Sequence, residues 1–297
     1  MWPLLLPAGE LLLFRHWSKI RSTPPISQLP LLAILLALAL FFQILLEKGG
    51  RPRFKPHWGV VALHGALWVF PVWGGAAWEG WVRLLGDSGA RLAWYFSAFL
   101  AVGTSLLVWV DRREAARRLR GARREAVFLL LASSAFALYE SLQQHLWAGL
   151  SGATIPPVQL LLGWIGVPVQ VSAGDFMISH PRFQLRIAAA CSGLEGMAFF
   201  VYAFSLAQML GLAGLAGGAR IAAGYLAGVG WMFALNILRV ALLFRIALWA
   251  GNRWGAAGES KLVTWGFHSH AGWILYLVGI GLFIGIFSRR RSAPRSR

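Results

Sequence analysis

Long apolar stretches separated by basic residues dominate this chain of 297 residues. A helix needs about 17 to 25 predominantly apolar residues to cross a bilayer, and the stretches of this length cover residues 30–46, 58–78, 91–110, 126–149, 192–212, 221–243 and 268–287. Hydrophobic residues make up 58% of the chain and charged residues only 13%, whereas soluble domains contain about 25% charged residues. We therefore expect an all-α fold, a polytopic membrane helical bundle of about seven to eight transmembrane helices.

The basic residues are concentrated in the connections between the apolar stretches. A net charge of +17 would suggest a nucleic-acid partner in a soluble chain, but this distribution is the one that the positive-inside rule describes. We expect these residues to face anionic membrane lipid, and we expect no nucleic acid. Cys191 is the single cysteine, so an internal disulfide is excluded and helix packing must hold the fold together.

The segment 111–125 determines the predicted orientation, because it places seven arginines in a short connection. Short loops rich in Lys and Arg stay in the cytoplasm. The connection at 150–190 is then outside the membrane. The predicted organisation is an interfacial N-terminal segment at 1–29, a transmembrane domain at 30–287 with its core at 126–287, and a basic cytoplasmic tail at 288–297.

The outer connection is interrupted by Pro156-Pro157 and by the glycine and proline residues of 166–168. Alternating apolar residues at 167–171 and 183–187 indicate short extended pieces or a cap on the membrane surface. Two further connections are predicted after Cys191, a tight cytoplasmic turn at 214–220 and an outer loop at about 244–267.

Cys191 lies where the outer connection enters an apolar helix. A thiol attacks as the thiolate, and a helix start or a nearby cation lowers its pKa from about 8.5. Arg239 stands near the end of the sixth stretch and His268 at the start of the seventh. In the predicted topology all three residues lie at the outer membrane boundary, so they are the candidate catalytic residues.

Neighbouring polar residues are expected to support these three. Asn236 precedes Arg239 by three residues, so the two share a helix face and the amide can orient the guanidinium. Glu195, one turn after Cys191, balances Arg239 or stabilises the helix start. The supporting residues are Asn236, Ser192, Glu195 and His270.

Each candidate also has a purely structural interpretation. A free cysteine usually behaves as a small buried apolar residue, and an arginine at a helix end can extend to the interface as an anchor. A histidine at a helix start often caps the helix, and Gly272, four residues after His268, leaves room beside the imidazole. Cys191, His268 and His270 have the ligand types of a zinc site but lack an evident further ligand, so we expect no metal and no other cofactor. A serine nucleophile at Ser192 would need a base of its own.

Three short motifs in this order resemble those of one family. They are Ala190-Cys191-Ser192-Gly193, then Asn236-Ile237-Leu238-Arg239, then His268 before Gly272-Trp273. The motifs are similar to those of the exosortase/archaeosortase family of membrane cysteine transpeptidases, and the resemblance covers about residues 126–287. The run from Cys191 to Gly196 resembles the exosortase E branch, whose members often carry a fused C-terminal protease that these 297 residues do not contain.

The resemblance implies a multi-pass enzyme of the bacterial cytoplasmic (inner) membrane, with Cys191, Arg239 and His268 on the extracytoplasmic side. Its partners would be secreted proteins that end in a sorting signal of the PEP-CTERM type: a short motif, an apolar helix and a basic tail. Cleavage would pass through a thioester on Cys191, and release by water or by another nucleophile would make the enzyme a protease or a transpeptidase.

The alternative from another class is a non-enzymatic membrane transporter, or a subunit that exports exopolysaccharide or protein. In that case Arg239 and His268 would line a pathway or pair with lipid. Transporters commonly show repeat symmetry and broken helices near the membrane midplane, whereas these two residues lie at the predicted membrane edge.

Overall fold

The computed structural model describes residues 58–73, 80–86, 112–172, 174–261 and 272–289, together with scattered positions within 34–45 and 89–104. Most of the described residues are helical. The chain divides into two compact units, Met1–Ser141 and Leu142–Arg297. The predicted interfacial segment 1–29, most of the predicted span 91–110 and the tail beyond residue 289 lie outside the described residues.

The first unit includes α1 (Trp58–Trp73), α2 (Arg112–Gly121) and the beginning of α3 (Arg123–Trp164). Helix α1 falls within the second predicted span. The prediction of a loop at 111–125 is wrong for its described part, because α2 and the first turn of α3 cover residues 112–121 and 123–125. Glu114 pairs with arginines one turn later in α2, and pairs at this spacing stabilise a helix.

The second unit contains a small antiparallel sheet that the all-α prediction missed. Its strands pair in chain order and are β1 (Gln170–Ser172), β2 (Met177–His180) and β3 (Phe183–Arg186). Ile178 pairs with Val171 on one side and with Leu185 on the other, and it is fully buried. The predicted extended pieces at 167–171 and 183–187 thus overlap β1 and β3. The described fold is therefore mainly helical with a three-stranded sheet.

Helix α3 runs through Pro156 and Pro157, where the sequence predicted an interruption. Its residues Ile155, Val158 and Leu162 are buried, and their spacing of three and four places them on one face of the helix. The two prolines remove backbone hydrogen bonds, and burial of this apolar face offsets their loss. The face packs in the sheet-side core, which consists of Ile155, Val158, Leu162, Val167, Ile178, Ile187, Cys191, Val240, Ala241, Phe244 and Leu248.

In the described part of the second unit, the sheet is followed by the helices α4 (Leu194–Met209), α5 (Gly218–Lys261) and α6 (Gly272–Arg289). Glycines allow them to pack closely, since a Cβ on Gly228 would overlap the ring of Phe200 and a Cβ on Gly279 would overlap Leu235. Their helix-bundle core consists of Phe200, Phe204, Ala207, Ala213, Met232, Leu235, Tyr276, Ile280 and Phe283.

Helix α5 extends well beyond the predicted end of the sixth span at residue 243, so the prediction of a loop from 244 is wrong. Phe244 and Leu248 continue the buried face of the helix into the sheet-side core. Arg182, in the turn between β2 and β3, donates from Nη1 to Asn252 Oδ1 at 2.8 Å. The helix therefore continues because the sheet packs against it.

One helix of the described residues, Gly218–Arg253 within α5, is long and apolar enough to cross a membrane. The segments Leu194–Met209 and Gly272–Ile286 are shorter apolar helices. Beyond the long segment, a φ of 68° at Gly255 interrupts the helical geometry of α5. The described residues thus form a mainly helical fold with one candidate membrane helix.

Candidate functional site

Cys191 ends a short 3₁₀ turn, Ala189–Cys191, that leads from β3 towards α4. Gly193 follows with a φ of 86°, a left-handed conformation that glycine adopts without strain. The Ser192 hydroxyl donates to the Ala189 carbonyl at 2.7 Å, which stabilises the turn. Cys191 itself is only 4% exposed and belongs to the sheet-side core.

Asn236 joins α5 to this turn. Its Nδ2 donates to the carbonyl oxygen of Cys191 at 2.8 Å, and the residue is fully buried. A Cβ on Gly193 would lie 2.9 Å from Asn236 Nδ2, so the glycine provides the space that the amide occupies. The structure thereby brings the Cys191 motif and the Asn236–Arg239 motif together.

Tyr276 of α6 connects Asn236 to Arg239. Its hydroxyl donates to Asn236 Oδ1 at 2.9 Å and accepts a hydrogen bond from Arg239 Nη1 at 3.2 Å. The Arg239 guanidinium carbon also lies 5.4 Å from the centre of the Tyr276 ring, within the range of a cation–π interaction. The sequence motifs do not include Tyr276. Its spacing of four residues from Gly272 and eight from His268 is the sequence signal that could identify it.

Two further glycines provide space for these polar side chains. A Cβ on Gly196 of α4 would lie 2.8 Å from Tyr276 Cζ, and a Cβ on Gly272 of α6 would lie 2.9 Å from Arg239 Cζ. The sequence predicted that Gly272 leaves room beside His268. In the structure, the Arg239 guanidinium lies next to Gly272. Because Arg239 is only 6% exposed, it is a buried cation packed against the N-terminal turn of α6.

Burial and two charges act on the Cys191 thiol. Burial raises the pKa of Cys191 above its ordinary value, the charge of Arg239 opposes this rise and the charge of Glu195 adds to it. The net direction is opposite to the lowering expected at a helix start, because loss of hydration destabilises the thiolate more than the cation stabilises it. Glu195, in the first turn of α4, also interacts electrostatically with Arg239.

The candidate His268 and the supporting His270 lie outside the described residues. The described part of helix α6 starts at Gly272, which lies against Arg239, so this end of the described helix lies at the site. Within the described stretches, no group of three or more His, Cys, Asp or Glu residues could hold a metal ion.

Comparison of the chain with protein-family models, with curated proteins and with solved structures finds no match. The class that the described residues define is a mainly helical protein with one candidate membrane helix. Its distinguishing feature is a buried chain of polar side chains from Arg239 to the backbone of Cys191.

Proposed function

We propose that this protein is a membrane-embedded cysteine peptidase or transpeptidase of the exosortase type. It cleaves C-terminal sorting signals of secreted proteins at the outer face of the bacterial cytoplasmic membrane. The observation that carries this proposal is the hydrogen-bonded chain that connects Arg239 to Cys191 through Tyr276 and Asn236. This chain supports a shared role for a nucleophile and a cation that are far apart in the sequence.

The position of Arg239 along α5 is compatible with a place near one membrane boundary. From Gly218 to Arg239 the helix rises by about 32 Å at 1.5 Å per residue, close to the hydrocarbon thickness of about 30 Å. If α5 enters the bilayer at its N-terminus, Arg239 lies near the opposite boundary. The remainder of α5 and the sheet would then form a cap outside the bilayer, with about seven to eight spans in the whole chain.

The proposed reaction begins with transfer of the Cys191 proton to His268. The Cys191 thiolate attacks the scissile carbonyl carbon, and Arg239 stabilises the thiolate and the developing oxyanion. His268 returns the proton to the departing amine as the C–N bond breaks, which leaves a thioester on Cys191. Water or another nucleophile then attacks the thioester and regenerates the thiol. Substrate binding would exclude water from the site and bring the acyl group beside Arg239.

The surroundings of Ser192 favour the cysteine over the neighbouring serine as nucleophile. Ser192 is fully buried, its hydroxyl proton is directed to the Ala189 carbonyl at 2.7 Å, and its oxygen accepts from the Leu194 amide at 3.4 Å. Both contacts stabilise the turn. A structural role accounts for this hydroxyl, so Ser192 provides a matched control for Cys191.

A processing assay tests the proposal. The reporter is a tagged secreted protein with a C-terminal short motif, apolar helix and basic tail, taken from a gene in the same genome. Cys191→Ala should abolish cleavage because no thioester can form, whereas Ser192→Ala should retain it. Gel mobility and the mass of the product report cleavage, and membrane levels of both variants serve as the loading control. Wild-type processing by Cys191→Ala would contradict the cysteine mechanism and favour the transport or export alternative.

A labelling experiment tests the proposed topology separately from the chemistry. In a Cys191→Ala background, Gln184→Cys places a thiol at an exposed position of β3 and Ala216→Cys places one at an exposed position of the turn after α4. A membrane-impermeant maleimide applied to intact cells should label the first position and not the second. Labelling of the turn alone would invert the proposed orientation.

A further inference from the structure

We infer that Tyr276 is a positioning residue that holds the Arg239 guanidinium and the Cys191 turn in one fixed geometry. The inference rests on the proposed function, because it concerns how the proposed nucleophile and cation are held together. Tyr276 contributes no atom to the reaction. It acts through Arg239 on one side and through Asn236 on the other.

The direction of each hydrogen bond in this chain is determined by chemistry. A guanidinium can only donate, so the Tyr276 oxygen must accept from Arg239 and give its own proton to Asn236 Oδ1. The Asn236 amide then has its Nδ2 directed at the Cys191 carbonyl oxygen, 2.8 Å away. Three donors therefore point the same way along the chain, and hydrogen bonds aligned in this way polarise one another. Loss of the Tyr276 hydroxyl would remove one hydrogen bond from Arg239 and one from Asn236.

Close packing also constrains the Tyr276 ring. Gly196 of α4 leaves the ring no spare room, since an added Cβ would lie 2.8 to 3.0 Å from three ring carbons. Tyr276 is 3% exposed and belongs to the helix-bundle core, whereas Cys191 belongs to the sheet-side core. The tyrosine is thus the rigid point from which the bundle sets the position of the Cys191 turn.

The rate at which iodoacetamide alkylates Cys191, measured against pH in the full chain, tests this inference without a substrate. Tyr276→Phe should shift the midpoint of the alkylation profile upward by about one pH unit, which lowers the rate about tenfold below the midpoint, because a displaced guanidinium stabilises the thiolate less. Tyr225→Phe is the matched control: it removes a buried hydroxyl that bonds Ser205 Oγ at 2.7 Å in the same bundle. The control profile should match that of the wild type.

A second variant, Gly196→Ala, keeps the polar groups of Arg239, Tyr276 and Asn236 and displaces only the Tyr276 ring. It should shift the alkylation profile in the same direction as Tyr276→Phe, and Gly230→Ala, where a Cβ meets nothing within 4 Å, should not. In the reporter assay, Tyr276→Phe should lower kcat about 10- to 100-fold with little change in KM.

The two proposals fail in different ways. Processing by Cys191→Ala would end the cysteine mechanism whatever the alkylation profiles show. Wild-type alkylation profiles in both Tyr276→Phe and Gly196→Ala, beside a shifted profile in Arg239→Lys, would overturn the role of Tyr276 while leaving the role of Arg239 intact. A shift of equal size in Tyr225→Phe would also overturn it, because any buried hydroxyl would then have the same effect.

Discussion

Arginines occur in two opposite surroundings in this protein. In the first unit, α2 and the start of α3 carry seven arginines, and 73% of the Arg117 side chain is exposed. In the second unit, Arg239 is 6% exposed and donates to Tyr276. The exposed arginines keep their hydration, so their position along the helix matters more than their individual geometry. A buried guanidinium must instead be compensated by fixed partners.

One arginine of α2 has a largely buried side chain, unlike its neighbour Arg117. Only 7% of the Arg118 side chain is exposed, and it donates to Glu114 at 2.7 Å and to the Leu45 carbonyl at 3.1 Å. Its partners serve the fold of the first unit, since one is a helix-stabilising pair and the other a backbone carbonyl. Burial of an arginine alone therefore does not identify a reactive site. What distinguishes Arg239 is that hydrogen bonds through Tyr276 and Asn236 connect it to the backbone of Cys191.

Substitution by lysine separates the two surroundings most clearly. Arg239→Lys should slow processing of the reporter about 100- to 1000-fold, because an ammonium is a point charge and cannot replace the planar fork of donors. Arg117→Lys should process at the wild-type rate. Both variants should insert at normal levels, as measured by immunoblot of the membrane fraction. Full processing by Arg239→Lys would reduce this residue to an anchor.

The close packing of Gly272 against Arg239 can be tested without changing the charge of the arginine. Gly272→Ala should destabilise the protein by about 1–3 kcal/mol, the usual cost of overpacking a buried site, because its Cβ would collide with the guanidinium. Gly281→Ala lies on the same helix where a Cβ meets nothing within 4 Å, and it should be neutral or slightly stabilising. Thermal unfolding in detergent measures the stability of both variants. Equal unfolding midpoints would show that the Arg239 side chain moves away from residue 272 at little cost.

Within the first unit, alanine substitutions distinguish the buried arginine from its exposed neighbour. Arg118→Ala should cost about 1–2 kcal/mol, because it removes charge-assisted hydrogen bonds and leaves a buried carbonyl without this donor. Arg117→Ala should change stability by no more than about 0.5 kcal/mol, as surface substitutions usually do. Chemical denaturation of the two variants in the same detergent provides the comparison. A larger effect at Arg117 would mean that its pair with Glu114 dominates.

Acid should weaken α2 slightly. The hydrogen bond from Arg118 is the main cause that holds the pKa of Glu114 below its ordinary value; loss of hydration opposes it, and the charges of Arg117 and Arg118 add to the lowering. A carboxylate with a lowered folded pKa stabilises the fold above its ordinary pKa, and this contribution is lost as the pH falls through the lowered value. The unfolding midpoint should decline over that acidic window, and Glu114→Gln should flatten the decline. An identical decline in the variant would assign it to other carboxyl groups.

Much of the helical character could be read from the apolar stretches, since length and composition directly reflect what can be buried in lipid or in a helical core. Helix ends were harder to predict. The sequence placed breaks at Pro156-Pro157 and after residue 243, but α3 and α5 continue. Both extensions bury apolar residues against the sheet, and a local pattern carries no information about a partner contributed by a distant segment.

For the candidate site, the sequence identified Cys191, Asn236 and Arg239 as candidate polar groups, because helical spacing and hydropathy are local properties. It placed Arg239 near the end of a helix, whereas α5 continues from Gly218 to Lys261. Only the tertiary structure decided that Tyr276 stands between Asn236 and Arg239. It also decided that the thiol is buried deeply enough for its pKa to rise. The position of Tyr276 and the burial of the thiol depend on how closely α4, α5 and α6 approach one another. Glycines set that distance, and their effect cannot be predicted without knowing which residue faces each of them.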